Sequence, residues 1–188
     1  VTLSQLTSAG VTTVVGCLGT DGEGRDMTAL ISKAKGLEAE GITTFVYEGS
    51  YRLPVKTVTD SIIKDFLTID KIIGIGEIAV SDHRSSQPTF EEFARATADA
   101  RVGGMLSGKA GIVNVHLGGG TRKLELLKKV VEETEIPISQ FLPTHANRTQ
   151  ELLDACIEFA KNGGTIDFTA SEDPDFWEKT YGEVRFSK

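Results

Sequence analysis

The chain has 188 residues, of which 39% are hydrophobic and 25% are charged, an ordinary composition for a folded globular protein. This length predicts a single domain, residues 1–188, with enough chain for a substantial core. The net charge of −7 argues against a nucleic-acid binder, which needs clustered positive charge, although local arginines can still bind small anions.

The sequence contains neither a candidate membrane span nor a secretory signal. No window approaches the roughly 18 consecutive apolar residues of a membrane span. The first ten residues lack the basic stretch and apolar core of a secretory signal. Cys17 and Cys156 lie far apart and do not suggest a disulfide scaffold. We therefore expect a cytoplasmic protein with neither a membrane nor a nucleic-acid partner.

Short apolar runs alternate with longer amphipathic segments along the chain. The apolar runs are rich in β-branched residues and predict buried strands at Val11–Leu18, Ile42–Tyr47, Ile72–Val80, Ile112–Leu117, Ile138–His145 and Thr165–Thr169. The amphipathic segments predict helices at Met27–Glu40, Val58–Ile69, Phe90–Leu106, Arg122–Glu135 and Thr149–Lys161. This order indicates consecutive βαβ units and a parallel sheet.

Two α/β architectures fit that order. A complete doubly wound sheet fits within 188 residues. A (β/α)8 TIM-type barrel usually needs about 250 residues, so about six βα units would form an incomplete barrel. Periodicity does not choose between them, but in both the chemistry gathers at the carboxyl ends of the strands.

Those strand ends are rich in polar residues, and all three histidines of the chain, His83, His116 and His145, are among them. A single histidine at a strand end is more often a hydrogen-bonded structural residue than a ligand. His116 and His145 end successive predicted strands, however, and could share one metal ion. Neutral imidazole suits zinc.

Glu77 lies inside a strand predicted to be buried, where an ionised carboxylate is costly unless it is paired or bound to metal. A metal explains it, and so does a salt bridge to an arginine such as Arg84. Arg84 and Arg148 each follow a strand end, where a guanidinium can bind a carboxylate or simply lie on the surface.

For two further features, the sequence is compatible with either a structural or a chemical role. Tyr51 is either a packing residue or a phenol that stabilises a developing oxyanion. The run Gly118–Gly120 precedes a predicted helix and fits a tight turn better than a phosphate cradle, because no Lys-Ser/Thr pair follows it.

Taken together, the strand-end motifs resemble one family, the isoaspartyl (β-aspartyl) dipeptidases of the amidohydrolase superfamily. The motifs are Gly19-Thr20-Asp21, Gly49-Ser50-Tyr51, Ser81-Asp82-His83-Arg84, Val115-His116-Leu117-Gly118, Leu142-Pro143-Thr144-His145-Ala146-Asn147-Arg148 and Gly163-Gly164-Thr165-Ile166-Asp167. They follow one another in order over nearly the whole chain.

The resemblance implies a (β/α)8 barrel with two zinc ions per complete active site, which hydrolyses the isopeptide bond of β-aspartyl dipeptides by a metal-bound hydroxide. By the same resemblance, His116 and His145 ligate one zinc and Tyr51 polarises the scissile carbonyl. The substrate is held by Thr20, Arg84 and Arg148. A homo-oligomer is implied for the full-length enzyme.

Three positions depart from the family pattern. Glu77 stands where many relatives carry a carboxylated lysine between the metals, and we expect its carboxylate to take that role. The family's His-x-His pair and its late catalytic aspartate have no counterpart here. We therefore expect a central part of a larger enzyme, with an incomplete ligand set and doubtful activity on its own.

Two other functions remain as alternatives. One is another amidohydrolase of the dihydroorotase type, which the arginines Arg84 and Arg148 disfavour. The other is a non-catalytic, doubly wound module that binds a small anion, which predicts a switch point in the strand order and histidines that do not converge. The C-terminal segment Glu172–Lys188, with Trp177, is predicted to be a surface helix.

Overall fold

The computed structural model describes residues 1–170. In this part of the chain five parallel strands form one sheet in the order β1-β2-β3-β4-β5, and the sheet curls into a half-barrel. The strands are β1 (Thr13–Gly16), β2 (Thr43–Glu48), β3 (Ile72–Val80), β4 (Ile112–Leu117) and β5 (Phe141–Thr144). The helices are α1 (Leu3–Ser8), α2 (Met27–Ala39), α3 (Ile62–Thr68), α4 (Phe90–Ser107), α5 (Glu125–Glu133) and α6 (Gln150–Lys161), with a 3-10 turn at Ile138–Gln140.

The strand order decides between the two predicted architectures. Each strand pairs with its neighbour in sequence, so the described sheet has no switch point. A doubly wound sheet requires one, and that alternative is wrong for these residues. The observed order and curl are those of an incomplete TIM-type barrel.

Several predicted boundaries differ from the structure. The first strand and the second predicted helix, Val58–Ile69, are shorter than predicted, and the first three residues of the predicted run Ile138–His145 form the 3-10 turn. Helix α1 was not predicted; Thr2 and Gln5 cap it reciprocally. The predicted sixth strand, Thr165–Thr169, is not a regular strand, although the backbone of Asp167 exchanges hydrogen bonds with Pro143 and Ala146 beside β5. The predicted helix at Glu172–Lys188 lies outside the described residues.

Side-chain caps fix the starts of most helices. Asp26, Ser61 and Thr149 each accept a hydrogen bond from a backbone N–H in the first turn of the helix that follows. At α4 Thr89 and Glu92 form a complete capping box. Such caps satisfy amide groups that have no partner within the helix and typically contribute about 1 kcal/mol each.

The core lies between the sheet and its helices. Four phenylalanines, one from each of α3, α4, β5 and α6, are fully or almost fully buried: Phe66, Phe93, Phe141 and Phe159. The rings of Phe93 and Phe141 stack with their centroids 5.7 Å apart. Replacing a buried phenylalanine by alanine typically costs about 3–5 kcal/mol. The helices thus hold the strands in place, and the strand ends carry the polar residues.

A buried carboxyl pair joins the end of β2 to α3. Glu48 is fully buried, and within residues 1–170 neither of its carboxyl oxygens has a hydrogen-bond donor. Asp65, also fully buried, accepts hydrogen bonds from the backbone N–H groups of Val58 and Thr59. Burial, and next the neighbouring Asp65, raise the pKa of Glu48 to about 10. Glu48 is therefore a neutral acid at pH 7.

No helix in residues 1–170 is long and apolar enough to cross a membrane.

Candidate functional site

Glu77 is aimed by an irregularity in β3. Ile75 pairs with Val113 and Ile78 with Val115, so Gly76 and Glu77 together face one residue of β4. A bulge of this kind re-aims a side chain. Gly76 has φ +140°, and a Cβ there would lie 2.5 Å from the carbonyl oxygen of Asn114, so only glycine fits this approach.

The two strand-end histidines converge on Glu77. His116, on β4, is 2% exposed, and His145 follows the end of β5. His145 has φ +66°, an uncommon backbone conformation for a residue other than glycine. Their rings meet edge to face with centroids 4.5 Å apart. His83 is exposed and lies outside this group.

Glu77, His116 and His145 offer one ligand atom each, and these atoms all lie within 4.8 Å of one another. The His116 Nδ1 to Glu77 Oε2 distance is 3.8 Å, and the His145 Nε2 to Glu77 Oε1 distance is 3.6 Å. Ligands of a tetrahedral zinc at bonds of about 2.0 Å lie about 3.4 Å apart. Two imidazoles and a carboxylate are also a donor set that zinc prefers. The three residues therefore fit a metal ion.

The charge on Glu77 is stabilised by the histidines. Burial on its own raises the pKa of Glu77, but the interactions with His145 and His116 outweigh it and bring the pKa below its usual value. The pKa of His116 is also lowered, first by burial, against the opposing effect of Asp82. The site therefore combines an ionised carboxylate with a neutral imidazole, the protonation states that metal binding requires.

Tyr51 lies against His116. Its hydroxyl is 2.7 Å from His116 Nδ1, and the two rings are 4.3 Å apart between centroids. Two backbone hydrogen bonds hold it: its N–H donates to the Gly19 carbonyl, and its carbonyl accepts from Ala79. Burial and then the charge of Glu77 raise the pKa of the phenol, against a lowering effect of Thr20. The phenol is a neutral donor next to the cluster of Glu77, His116 and His145.

Arg84 is bound to Asp82, not to Glu77. Its Nε and Nη2 donate to the two carboxylate oxygens of Asp82 at 2.9 and 2.7 Å. The guanidinium also lies 5.3 Å from the Tyr51 ring centroid. The predicted Arg84–Glu77 salt bridge is therefore not the arrangement found, and Glu77 is instead within ion-pair distance of His116 and His145.

The other predicted substrate-binding residues are exposed near the strand ends. Thr20 follows β1 and interacts with Tyr51. Arg148 lies just after His145, and its Nε donates to the Leu117 carbonyl at 3.1 Å. The Arg148 backbone N–H donates to the His145 carbonyl, but within residues 1–170 no hydrogen bond or ion pair joins its side chain to Glu77, His116 or His145. Its part in substrate binding stays a prediction.

The glycine run after β4 serves close packing. A Cβ on Gly118 would lie 2.4 Å from both the Asp82 Cβ and the Ser81 carbonyl oxygen, and one on Gly120 would lie 2.6 Å from that same oxygen. The Gly120 N–H also donates to the Ser81 carbonyl. The run therefore lets the loop after β3 approach the end of β4.

Sequence analysis missed two partners of the histidines. Asp82 accepts a hydrogen bond from His116 Nε2 at 3.0 Å, and the Thr169 hydroxyl contacts His145 Nδ1. Asp82 lies inside the motif Ser81-Asp82-His83-Arg84, for which a role was predicted only at Arg84. Thr169 had no signal at all, because the contact spans 24 residues of sequence.

Two solved structures match 97% of this chain. One is a β-aspartyl dipeptidase from the thermophilic, keratin-degrading Fervidobacterium islandicum AW-1, with 54% sequence identity and a TM-score of 0.91. The other is a β-aspartyl dipeptidase from the same organism in complex with the dipeptide β-Asp-Leu, with 55% identity and a TM-score of 0.92. The chain spans about half of each of those chains, 51% and 50%. No protein-family model matches it. The resemblance expected from the strand-end motifs is confirmed.

Proposed function

We propose that this chain, a close relative of about half of a β-aspartyl dipeptidase, contributes metal ligands and substrate-binding residues to metal-dependent hydrolysis of β-aspartyl dipeptides. The observation that carries the proposal is the convergence of Glu77, His116 and His145 on one point at the strand ends. That cluster lies within a chain that is 54–55% identical to two β-aspartyl dipeptidases.

Zinc is the metal that this donor set favours. The Glu77 carboxylate lies 3.8 Å from His116 Nδ1 and 3.6 Å from His145 Nε2, which supports it as a further ligand beside the two histidines. We propose two zinc ions per complete active site, with Glu77 in the position of the family's carboxylated lysine. A bound metal of this type supplies a Lewis acid and lowers the pKa of water.

Tyr51 is the residue that we assign to the scissile carbonyl. Its hydroxyl lies beside a metal ligand, and its raised pKa keeps the proton on the phenol at neutral pH. A neutral donor fixed in this way can hydrogen-bond a developing oxyanion, an interaction worth about 10²–10³-fold in rate when a single donor is removed.

The arginines supply charge complementary to a β-aspartyl dipeptide, which carries two carboxylates and an amine. Arg84 and Arg148 lie on the loops after β3 and β5, the two strands that flank β4, and both residues are exposed to solvent. We propose that they hold the substrate carboxylates and that Thr20, next to Tyr51, contributes a hydroxyl. Such fixed positioning lowers the barrier by several kcal/mol.

The test combines zinc binding with peptide turnover. Zinc affinity is measured by competition with a chromophoric chelator for the wild type, His116→Ala and Tyr51→Phe, and β-Asp-Leu hydrolysis is then followed on the same samples. We expect His116→Ala to lose zinc. Tyr51→Phe, the matched variant that removes only a hydroxyl, keeps zinc and lowers any turnover by about 10²–10³-fold. The α-linked dipeptide Asp-Leu is the substrate control.

Zinc binding that survives His116→Ala and His145→Ala contradicts the metal centre. Turnover of dihydroorotate in place of β-Asp-Leu contradicts the substrate class and favours the cyclic-amide hydrolases. If the zinc-loaded chain binds β-Asp-Leu without hydrolysing it, the family's His-x-His pair and late catalytic aspartate, which have no counterpart in this sequence, are needed for the reaction. The same two measurements on a longer polypeptide carrying those ligands then decide the activity.

A further inference from the structure

Asp82 lies directly behind the metal-facing side of His116. Its side chain is 4% exposed, and its Oδ2 is 3.0 Å from His116 Nε2. The opposite ring nitrogen, Nδ1, faces Glu77 and the Tyr51 hydroxyl. The imidazole is thus held between a carboxylate on one side and the candidate metal position on the other.

This arrangement selects one tautomer of His116. An ionised carboxylate has no proton to give, so the short contact with Asp82 requires the proton on Nε2. With the proton on Nδ1, the Nε2 lone pair would face the Asp82 oxygen at 3.0 Å, and the contact would be repulsive. Arg84 Nη2 is also within hydrogen-bond distance of Nε2, at 3.1 Å, and would donate to it only with the proton on Nδ1. That arrangement would turn the Nε2 lone pair toward the ionised carboxylate at 3.0 Å, so the contact with Asp82 opposes it. Nδ1 is therefore the nitrogen with a free lone pair, which accepts from Tyr51.

Asp82 is itself held rigidly. The Arg84 side chain binds both of its carboxylate oxygens, and the Arg84 backbone N–H adds a third bond at 2.8 Å. Its carbonyl accepts from Ser85 N and Gln87 Nε2. Gly118 leaves room for this approach, since a Cβ there would lie 2.4 Å from the Asp82 Cβ.

We propose that Asp82 is a positioning residue that fixes His116 in the Nε2–H tautomer and so directs the Nδ1 lone pair toward Glu77, ready for a metal ion. The part of this inference that concerns metal affinity rests on the proposed function; the part that concerns the tautomer does not. A carboxylate behind a metal-binding imidazole fixes its orientation and raises its basicity, and losing it typically costs about 10–100-fold in metal affinity.

The test is ¹⁵N NMR of the three histidine rings in the metal-free chain, followed by zinc titration. The variants are Asp82→Ala, which removes the acceptor, and Asp82→Asn, which keeps the shape but presents either an oxygen or an NH₂ group to Nε2. Asp154→Ala, at an exposed position on α6, is the control for loss of one negative charge. We expect the wild type and the control to show His116 protonated on Nε2 alone.

In both Asp82 variants we expect a mixture of the two tautomers and zinc affinity lowered about 10–100-fold. A wild-type His116 that carries its proton on Nδ1 overturns the proposal, and this result needs no variant to fold. Weaker zinc binding with an unchanged tautomer overturns it as well, because the effect would then be structural. If the wild type binds no zinc but its tautomer is lost in the variants, the metal centre fails while the positioning role of Asp82 stands.

Discussion

Glu48→Gln tests whether the buried acid between β2 and α3 is neutral. The pKa of Glu48 is about 10 in the folded chain against an ordinary value of 4.5. At pH 7 the unfolded chain therefore releases a proton that the folded chain keeps. Stability that is fully present below pH 4.5 is lost as the pH rises toward about 10, at about 1.4 kcal/mol per pH unit.

Because pH 7 is well above the ordinary pKa of 4.5, keeping Glu48 protonated costs about 3 kcal/mol of folding free energy at this pH. Glutamine has no such cost, and its NH₂ group can replace the acid hydroxyl as a donor toward Asp65. We expect the variant to be more stable than the wild type by about 2–3 kcal/mol at pH 7 and nearly equal to it at pH 5.

The assay is urea unfolding followed by far-ultraviolet circular dichroism at pH 5, 7 and 8.5. Glu132→Gln, at an exposed position on α5, is the matched control and should keep the wild-type pH dependence. A difference in unfolding free energy between Glu48→Gln and wild type that does not grow with pH would refute the reasoning. It would mean that Glu48 is ionised in the folded chain at these pH values, so that its pKa is not raised by burial.

Three further outcomes follow from the packing and the cysteines. Gly118→Ala should lower the free energy of unfolding by about 1–3 kcal/mol. Gly119→Ala, whose Cβ would meet nothing within 4 Å, should stay within about 0.5 kcal/mol of the wild type. Equal losses in the two variants would contradict the close approach of Gly118 to Asp82. Gly36→Ala should stabilise the chain by about 0.5–1 kcal/mol, because Gly36 lies inside α2 with open space at its Cβ, and a lower melting temperature would exclude this. A thiol reagent should modify the exposed Cys17 in the folded chain and the buried Cys156 only after unfolding, so equal rates contradict the fold around α6. The reaction of Cys17 in the folded chain should be slow at pH 7, since desolvation by the surrounding atoms and then the charge of Glu77 raise the pKa of its thiol to about 11.

The sequence by itself determined the element order and the region of the chemistry. Five of the six predicted strands and all five predicted helices have counterparts in residues 1–170. Strands buried on both faces appear in the sequence as continuous runs of β-branched residues, and helices buried on one face appear as apolar residues spaced three and four apart. Glu77 was singled out because an ionised carboxylate inside a buried strand is costly without a partner, and His116 and His145 because they end successive predicted strands. The boundaries were less secure, as at Ile138–Gln140, since local propensity does not fix where pairing begins.

Only the tertiary structure decided the architecture and the partners. Strand order is a property of pairing between distant segments, so the same βαβ sequence was compatible with a doubly wound sheet and a barrel until the order β1-β2-β3-β4-β5 was seen. In the same way Arg84 could have neutralised Glu77, and the fold instead places it on Asp82. The bulge in β3 and the tautomer of His116 depend on contacts across 30 or more residues, which no local pattern records.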